Sequence, residues 1–465
     1  MKQPRLVLLF ALFSGLFAVP VRSQVPSSPV PLDAAPVLVT DPRETVVMAD
    51  DHLLSGGETP GVGSWESRQS YFDPSLRFVE TLDSNPALLN TNNGSYRGFA
   101  AFGAGIRWAQ YMGRDTQFLY SGAMRYDSRA PLQGYDQLAN TQNFAFGSKV
   151  QMGSLTLRLA DQVLYSQGSS FGASGMEGMG FTLPQSALLG LQSTPAPLRS
   201  DLAPSQNVQI GRVGTVNNAT LAELDARLTD RDAVTVEGSY GILHFDSSQF
   251  ASAEQSVAAG GYSHKLNDHD SIGLEAAVAR IQYQQLQGSI DTEYASLLYA
   301  RQITGSVSFG LGAGPQRTQP HLTPGPNPQH LNWQGRSRID YHASRFSLIG
   351  SASHAVTSGS GVLQGSKNTT GQGSVALAFS QLWTASLTSG FSRNADINTP
   401  SRYDTLFTNC TVNHRMGRYA NIFVSYDLQR QTTGTVCTGP ACAYSGLRNV
   451  FGIGLSWDAG QIPVR

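Results

Sequence analysis

Charge is scarce in this sequence: Asp, Glu, Lys and Arg together supply 14% of the 465 residues, against roughly 25% in a soluble globular chain. The 32 basic residues stand against 33 acidic ones, so the net charge of -1 gives no global attraction for nucleic acid or for an anionic surface. Long apolar runs are missing after the N-terminus, and mean hydropathy is -0.19. That excludes a polytopic helical membrane protein, which needs repeated apolar stretches of roughly 20 residues. Cysteine is nearly absent, with three residues, too few for a disulfide framework. Metalloprotease HExxH and P-loop patterns are absent, and the GLGAGP run at Gly310 reads as small residues within a strand. No catalytic residue, metal or cofactor can be nominated, and an enzyme is not expected. Glycine, by contrast, is plentiful at 48 residues, above the usual roughly 7%.

The first 23 residues read as a secretory signal peptide. Lys2 and Arg5 precede the apolar stretch Leu6 to Val19, and Val21-Arg22-Ser23 offers a cleavage site. Residues 24–70 are rich in Pro and Gly without sustained periodicity, which predicts a largely disordered periplasmic lead-in. Export through the inner membrane and a location in a bacterial outer membrane follow as expectations.

From about residue 71 to 465 the pattern has period two, the mark of strands with one apolar and one polar face. Tyr96, Ala100, Phe102, Ile106 and Trp108 alternate with Arg97, Gly103 and Arg107, while Ile422, Val424 and Tyr426 alternate with Asn421, Ser425 and Asp427. About eighteen such segments can be drawn, with sixteen as the alternative. Short connections such as MGRD, TDRD, LNDHD and MGRY alternate with long ones such as QRTQPHLTPGPNPQH and QTTGTVCTGPACAYSGLR. Short periplasmic turns and long outer loops define a single-chain transmembrane antiparallel β-barrel. A soluble sandwich or propeller would need a second apolar layer, and these polar faces suit a wet lumen instead.

Parity assigns a lumen lining: Arg97, Arg107, Arg125, Lys149 and Arg158 form a basic arc, beside an acidic arc of Glu223, Asp225 and Glu237. Residues 167–206 are long and apolar enough to fold inward as a constriction loop, with Glu177, Phe181 and Leu188 as its key residues. Glu177 facing Arg97, Arg125 and Arg158 would make a narrow point; the alternative is that lumen charges pair and stiffen the wall. Asp161 falls on the lipid-facing parity, where a bulge or a register shift is expected. Trp108, Trp383 and Trp457 fall at the periplasmic ends of their strands, as an aromatic girdle would. Cys437 and Cys442, in a Gly/Pro-containing loop, are candidates for a local disulfide, with a metal site as the weaker alternative.

The segments SYGILHF, GRYANIFVSYDLQRQ and SGLRNVFGIGLSW resemble the uncharacterised, porin-like outer-membrane β-barrel proteins common in Acidobacteria. The resemblance covers roughly residues 70 to 460 and implies fold and location, with outer-membrane lipid and the barrel assembly machinery as partners. A departure is the tail DAGQIPVR beyond Trp457, since such barrels often end on an aromatic residue. The leading functional expectation is a channel for passive passage or export of small polar solutes or saccharides. A surface-binding or envelope-scaffold barrel with a plugged lumen is the alternative, and homo-oligomers are compatible with either.

Overall fold

The computed structural model describes residues 70–85, 96–111, 115–127, 138–166, 208, 213–229, 231–267, 269–284, 288–304, 307–322, 327–343, 345–359, 361–380, 382–417, 419–434, 445–459 and 462–463. Its strands are β1 (Tyr71–Asp83), β2 (Arg97–Tyr111), β3 (Asp115–Asp127), β4 (Leu138–Met152), β5 (Leu155–Ser166) and β6 (Thr215–Arg227). Then follow β7 (Asp232–Phe245), β8 (Ala253–Lys265), β9 (Asp270–Tyr283), β10 (Gly288–Thr304), β11 (Val307–His321) and β12 (His330–Ala343). The last are β13 (Phe346–Thr357), β14 (Ser366–Ala378), β15 (Trp383–Asp396), β16 (Arg402–Arg415), β17 (Ala420–Thr433), β18 (Gly446–Asp458) and the two-residue β19 (Ile462–Pro463). Each of the first seventeen pairs antiparallel with its successor, and β18 pairs back onto β1. The sheet is therefore a closed barrel without a free edge.

The sequence alternation becomes a difference in burial. Along β1, Leu76, Phe78 and Leu82 are exposed while Arg77, Val79, Thr81 and Asp83 are buried. The same holds elsewhere: Leu274 is 61% exposed, Leu297 63% and Val424 53%, all on the outer face. So much exposed aliphatic surface is unfavourable in water, and lipid hydrocarbon is the solvent that covers it. Closure supplies the other requirement, since no backbone donor or acceptor in the hydrocarbon can be left unpaired.

Side-chain chemistry fixes the short turns at the end of the barrel where β1 begins and β18 ends. Thr229 Oγ1 accepts the N–H groups of Arg231 and Asp232 at 3.1 and 3.0 Å. Asn267 Oδ1 accepts those of His269 and Asp270 at 2.8 Å each, and Ser380 Oγ those of Leu382 and Trp383 at 3.2 Å. One short side chain thus satisfies two turn donors and reverses the chain in a few residues. Gly153, with φ 64°, performs the tighter reversal between β4 and β5.

The structure departs from expectation at three places. β11 contains Pro315, as expected, but runs on to His321 through Pro320, in a stretch expected to be a connection. Pro315 has no N–H to give, so the β10–β11 ladder drops the pairs between Tyr294↔Gln316 and Leu297↔Ala313 and resumes in the same register. Asp161 lies in an unbroken β5–β6 register opposite Thr220, so neither a bulge nor a shift removes it from the lipid face. Instead Thr220 Oγ1 donates to Asp161 Oδ1 at 2.6 Å and Asn218 Nδ2 at 3.1 Å, and this outward triad satisfies the carboxylate locally. The tail beyond Trp457 contributes a pairing of its own, Ile462 and Pro463 meeting Phe72 and Tyr71 of β1.

The closing seam carries more than its ladder. Arg448 Nη2 lies 2.7 Å from Asp83 Oδ2, with side chains 3% and 1% exposed. Its Nε reaches both Asp83 oxygens at 3.1 Å and its Nη1 reaches Gln429 Oε1 at 3.3 Å. Beside it, Ser84 and Asn449 exchange bonds of 2.9 and 2.8 Å. Arg448→Ala leaves a buried carboxylate unpaired and is expected to destabilise the folded barrel by about 3–5 kcal/mol. The measurement is the urea midpoint for folding into lipid vesicles, and Asp83→Asn combined with Arg448→Gln is expected to recover most of the loss.

Candidate functional site: the barrel lumen

Inward positions of β5 to β12 build a charged belt in the half of the lumen nearer the short turns. Arg158 Nη1 lies 2.7 Å from Glu223 Oε1, and its Nη2 lies 3.6 Å from Asp225 Oδ2. Thr235 Oγ1 donates to Asp225 Oδ1 at 2.6 Å. Glu223 stands in register opposite Glu237 on β7, and both are buried. Like charges facing each other across strands are unfavourable, and the Arg158 guanidinium offsets that repulsion. Further round the wall, Arg336 Nη2 meets Glu275 Oε2 at 2.6 Å, with the carboxylate side chain 0% exposed. Tyr294 Oη donates to the same carboxylate at 3.2 Å. On the same face of β12, Arg338 Nε meets Asp340 Oδ2 at 2.8 Å, so five carboxylates and three guanidinium groups share this belt.

Toward the long connections the wall changes character. Val257, Ala259, Ala277 and Tyr294 form an apolar patch with Leu221 against it. On the other side, β14 to β17 present amides and hydroxyls: Asn368 Nδ2 donates to Asn394 Oδ1 at 2.6 Å, and Thr405 Oγ1 to Gln431 Oε1 at 3.2 Å.

At the long-connection end the mouth is crossed by the β13–β14 connection, residues 358–365. Leu363 and Val362 pack with Leu243 and Phe245 of β7, Phe250, Val208 and Tyr403 of β16. β7 and β16 stand half-way round an 18-strand wall from one another, so this cluster bridges the opening. The connection is anchored by Ala251 N–H donating to Gly361 O at 2.8 Å and Tyr283 Oη donating to Ser358 O at 3.0 Å. A second apolar group, with Ile281, Tyr283, Ile290, Val356 and Ile397, lies beside it. Gly361 has φ +77°, and a Cβ there would overlap the Phe245 ring, so glycine is required both for conformation and for space.

The residues singled out from sequence are distributed as follows. Arg158, Glu223, Asp225 and Glu237 come together in the belt. Arg97 begins β2 opposite Asp83, and Arg125 lies two residues from the end of β3; both are at the long-connection end. Arg158 is three residues from the short turn, so Arg97, Arg125 and Arg158 do not form one constriction: too many residues along the strands separate them. Lys149 shares a register row with Asp115 and Arg158, and Arg107 with Asp73 and Leu119. Trp383 begins β15, Trp457 is next to last in β18 and Trp108 lies near the end of β2; all occupy outward positions at the short-turn end, where Trp383 packs on His414 with ring centroids 4.3 Å apart. Glu177, Phe181, Leu188, Cys437 and Cys442 lie outside the described residues. Among the described residues no group of three His, Cys, Asp or Glu converges as a metal site would.

Sequence reading missed Glu275, Arg336 and the β13–β14 connection. Glu275 was available from parity, as the inward exception between Leu274 and Ala276. The connection carried a local signal as well, since SGSGVLQG sets an apolar dipeptide between glycines.

No family model matches this chain, and no curated protein matches it. Among solved structures it is similar to Pseudomonas aeruginosa OpdQ, at 10% identity and a TM-score of 0.40, over 86% of this chain and 100% of that one. It is likewise similar to OccK2 (OpdF) of P. aeruginosa in complex with glucuronate (10%, TM-score 0.42, 84% and 97%). OpdK of the same organism, with vanillate, gives 9%, 0.41, 84% and 98%. The chain's own geometry defines its class, a closed single-chain transmembrane β-barrel.

Strain at Gly361 tests the mouth closure. Gly361→Val is expected to lift the connection from Phe245 at a cost of about 1–3 kcal/mol and to raise its cleavage by protease in the folded barrel. Gly371→Ala, where no atom lies within 4 Å of the new Cβ, is expected to leave cleavage unchanged.

Proposed function

We propose that this barrel is an outer-membrane channel for passive passage or export of small polar solutes, saccharides among them, with its outer mouth narrowed by residues 358–365. The observation that carries this reading is the inward face of the wall. It is charged at the belt and lined by amides and hydroxyls along β14 to β17, inside a barrel whose strand number leaves room for water. In this reading residues 1–23 are a cleaved signal peptide and residues 24–70 a periplasmic lead-in. The long connections then face outward, and the barrel assembly machinery inserts the strands. Arg97, Arg107, Arg125 and Lys149 add positive charge along one side of the pore. The likeness of the strand segments to acidobacterial porin-like barrels supports the same reading.

A second reading has its own observation. The apolar cluster over the mouth is what a plugged barrel with a binding or scaffolding role would carry. Conductance of the purified, detergent-folded chain in a planar bilayer separates the two. Discrete ohmic steps with a preference for cations are expected, because the belt has five carboxylates to three guanidinium groups. Glu237→Gln is expected to reduce that preference severalfold, and Val362→Ser with Leu363→Ser to enlarge the steps. Silence from folded wild type and from the loop variant alike would sink the channel and leave the binding reading.

A further inference from the structure

We infer that the outward rim of β14 to β17 binds the phosphate groups of an anionic glycolipid of the surrounding leaflet. The inference rests on the barrel lying in a membrane with its long connections outward, and it does not require an open channel.

Outward positions near the long-connection end of these strands hold Lys367 on β14, Arg393 on β15, Arg402 on β16 and Arg430 on β17. Registers place them close: Arg393 faces Asp404, Arg402 faces Ala395, and Lys367 faces Ala395 from the other side. Arg430 faces Leu406, two residues along from Asp404, with neighbouring strands roughly 4.8 Å apart. Asp404 is the single carboxylate among them. Arg393 Nε meets its Oδ1 at 2.7 Å and Arg402 Nε its Oδ2 at 3.3 Å, so both oxygens are engaged. Lys367 and Arg430 have no acidic partner among the described residues. Four cations thus surround one anion.

The connections that could neutralise this excess do not. Residues 358–365, 397–401 and 434–445 contain neither Asp nor Glu. Elsewhere on the same rim charge is balanced: Arg280 and His321 pair with Asp291, and Arg317 pairs with Glu293. The level is that of a membrane interface. Immediately inward along the strands come Phe391, Leu406 and Leu428, and the Arg393 guanidinium lies 5.6 Å from the Phe391 ring centroid. An arginine that rests its plane on an aromatic ring at the edge of an apolar belt, with its side chain still 46% exposed, has donors left for a phosphate. Guanidinium groups spaced across three strands match phosphates carried on a rigid headgroup better than one mobile ion.

The test uses the full chain folded in detergent micelles, with heat-dependent gel mobility and insertion into vesicles verified first. Binding is measured for a diphosphorylated glycolipid, for the same glycolipid without phosphates and for inorganic phosphate. Lys367→Gln with Arg430→Gln removes two cations that form no ion pair among the described residues, and is expected to weaken binding of the diphosphorylated glycolipid at least tenfold. Arg280→Gln with Arg317→Gln on the balanced rim is expected to leave affinity unchanged. Equal affinity in wild type and the Lys367/Arg430 variant would overturn the inference, as would equally tight binding of the phosphate-free glycolipid. Complete displacement of the lipid by matched inorganic phosphate would also overturn it, by identifying a free-ion site. Failure of the wild type to insert into vesicles would instead overturn the membrane reading beneath it.

Discussion

Closure of the sheet is the constraint on which every other feature depends. A strand in hydrocarbon has no water to satisfy its backbone, so the β1–β18 ladder must complete the circle begun by seventeen hairpin pairings. That closure brings together residues more than 360 positions apart in sequence, the costliest contact in the chain in loop entropy. The Arg448–Asp83 pair lies at this seam with Gln429 as its third member, and the Ser84–Asn449 exchange extends it past the last ladder residues. The two-residue β19 does the same at the opposite end, against Tyr71 and Phe72. Both ends of the seam are thus reinforced where a ladder alone would fray.

Once the wall is closed, period two sorts chemistry by side. Aliphatic residues go to lipid because water is absent there, and carboxylates, guanidinium groups and amides go inward because they find partners there. Arg158 with Glu223 is a contact between adjacent strands, whereas Arg336 of β12 reaches past β11 and β10 to Glu275 of β9. Asp161 is the informative exception. It keeps its outward parity, since a one-residue slip would turn every side chain of β5 to the wrong face. Two local donors, on Thr220 and Asn218, cost less than such a slip.

This sorting explains what could be read from sequence. Alternation over ten or more residues is a local property, so the strands, their faces, the alternation of short and long connections and the closed barrel were all legible. The belt was partly legible for the same reason: Arg158, Glu223, Asp225 and Glu237 could be placed inward by parity alone. Height within the barrel was not, because it depends on distance along each strand, and so Arg97, Arg125 and Arg158 could be mistaken for one ring. The β13–β14 connection was legible only as an apolar dipeptide between glycines, and its role across the mouth was not. Its Val362 and Leu363 gain their partners from β7 and β16, and no local pattern reports a contact made across an opening. Pro320 misled in the opposite sense, as a residue that usually ends a strand but here lies within one.

Net charge conceals as much as height does. A total of -1 describes no point on this molecule, because closure of the barrel separates inward from outward charges and the strand direction separates one end from the other. The belt near the short turns gathers five carboxylates with three guanidinium groups. The outward rim of β14 to β17 gathers four cations around Asp404. Each imbalance is local, and each lies where a low-dielectric wall limits screening by solvent, so it acts on what passes or touches at that place. A solute in the lumen meets the first and a lipid headgroup the second. Neither field cancels the other, since the wall that separates them is apolar on the face turned to the lipid.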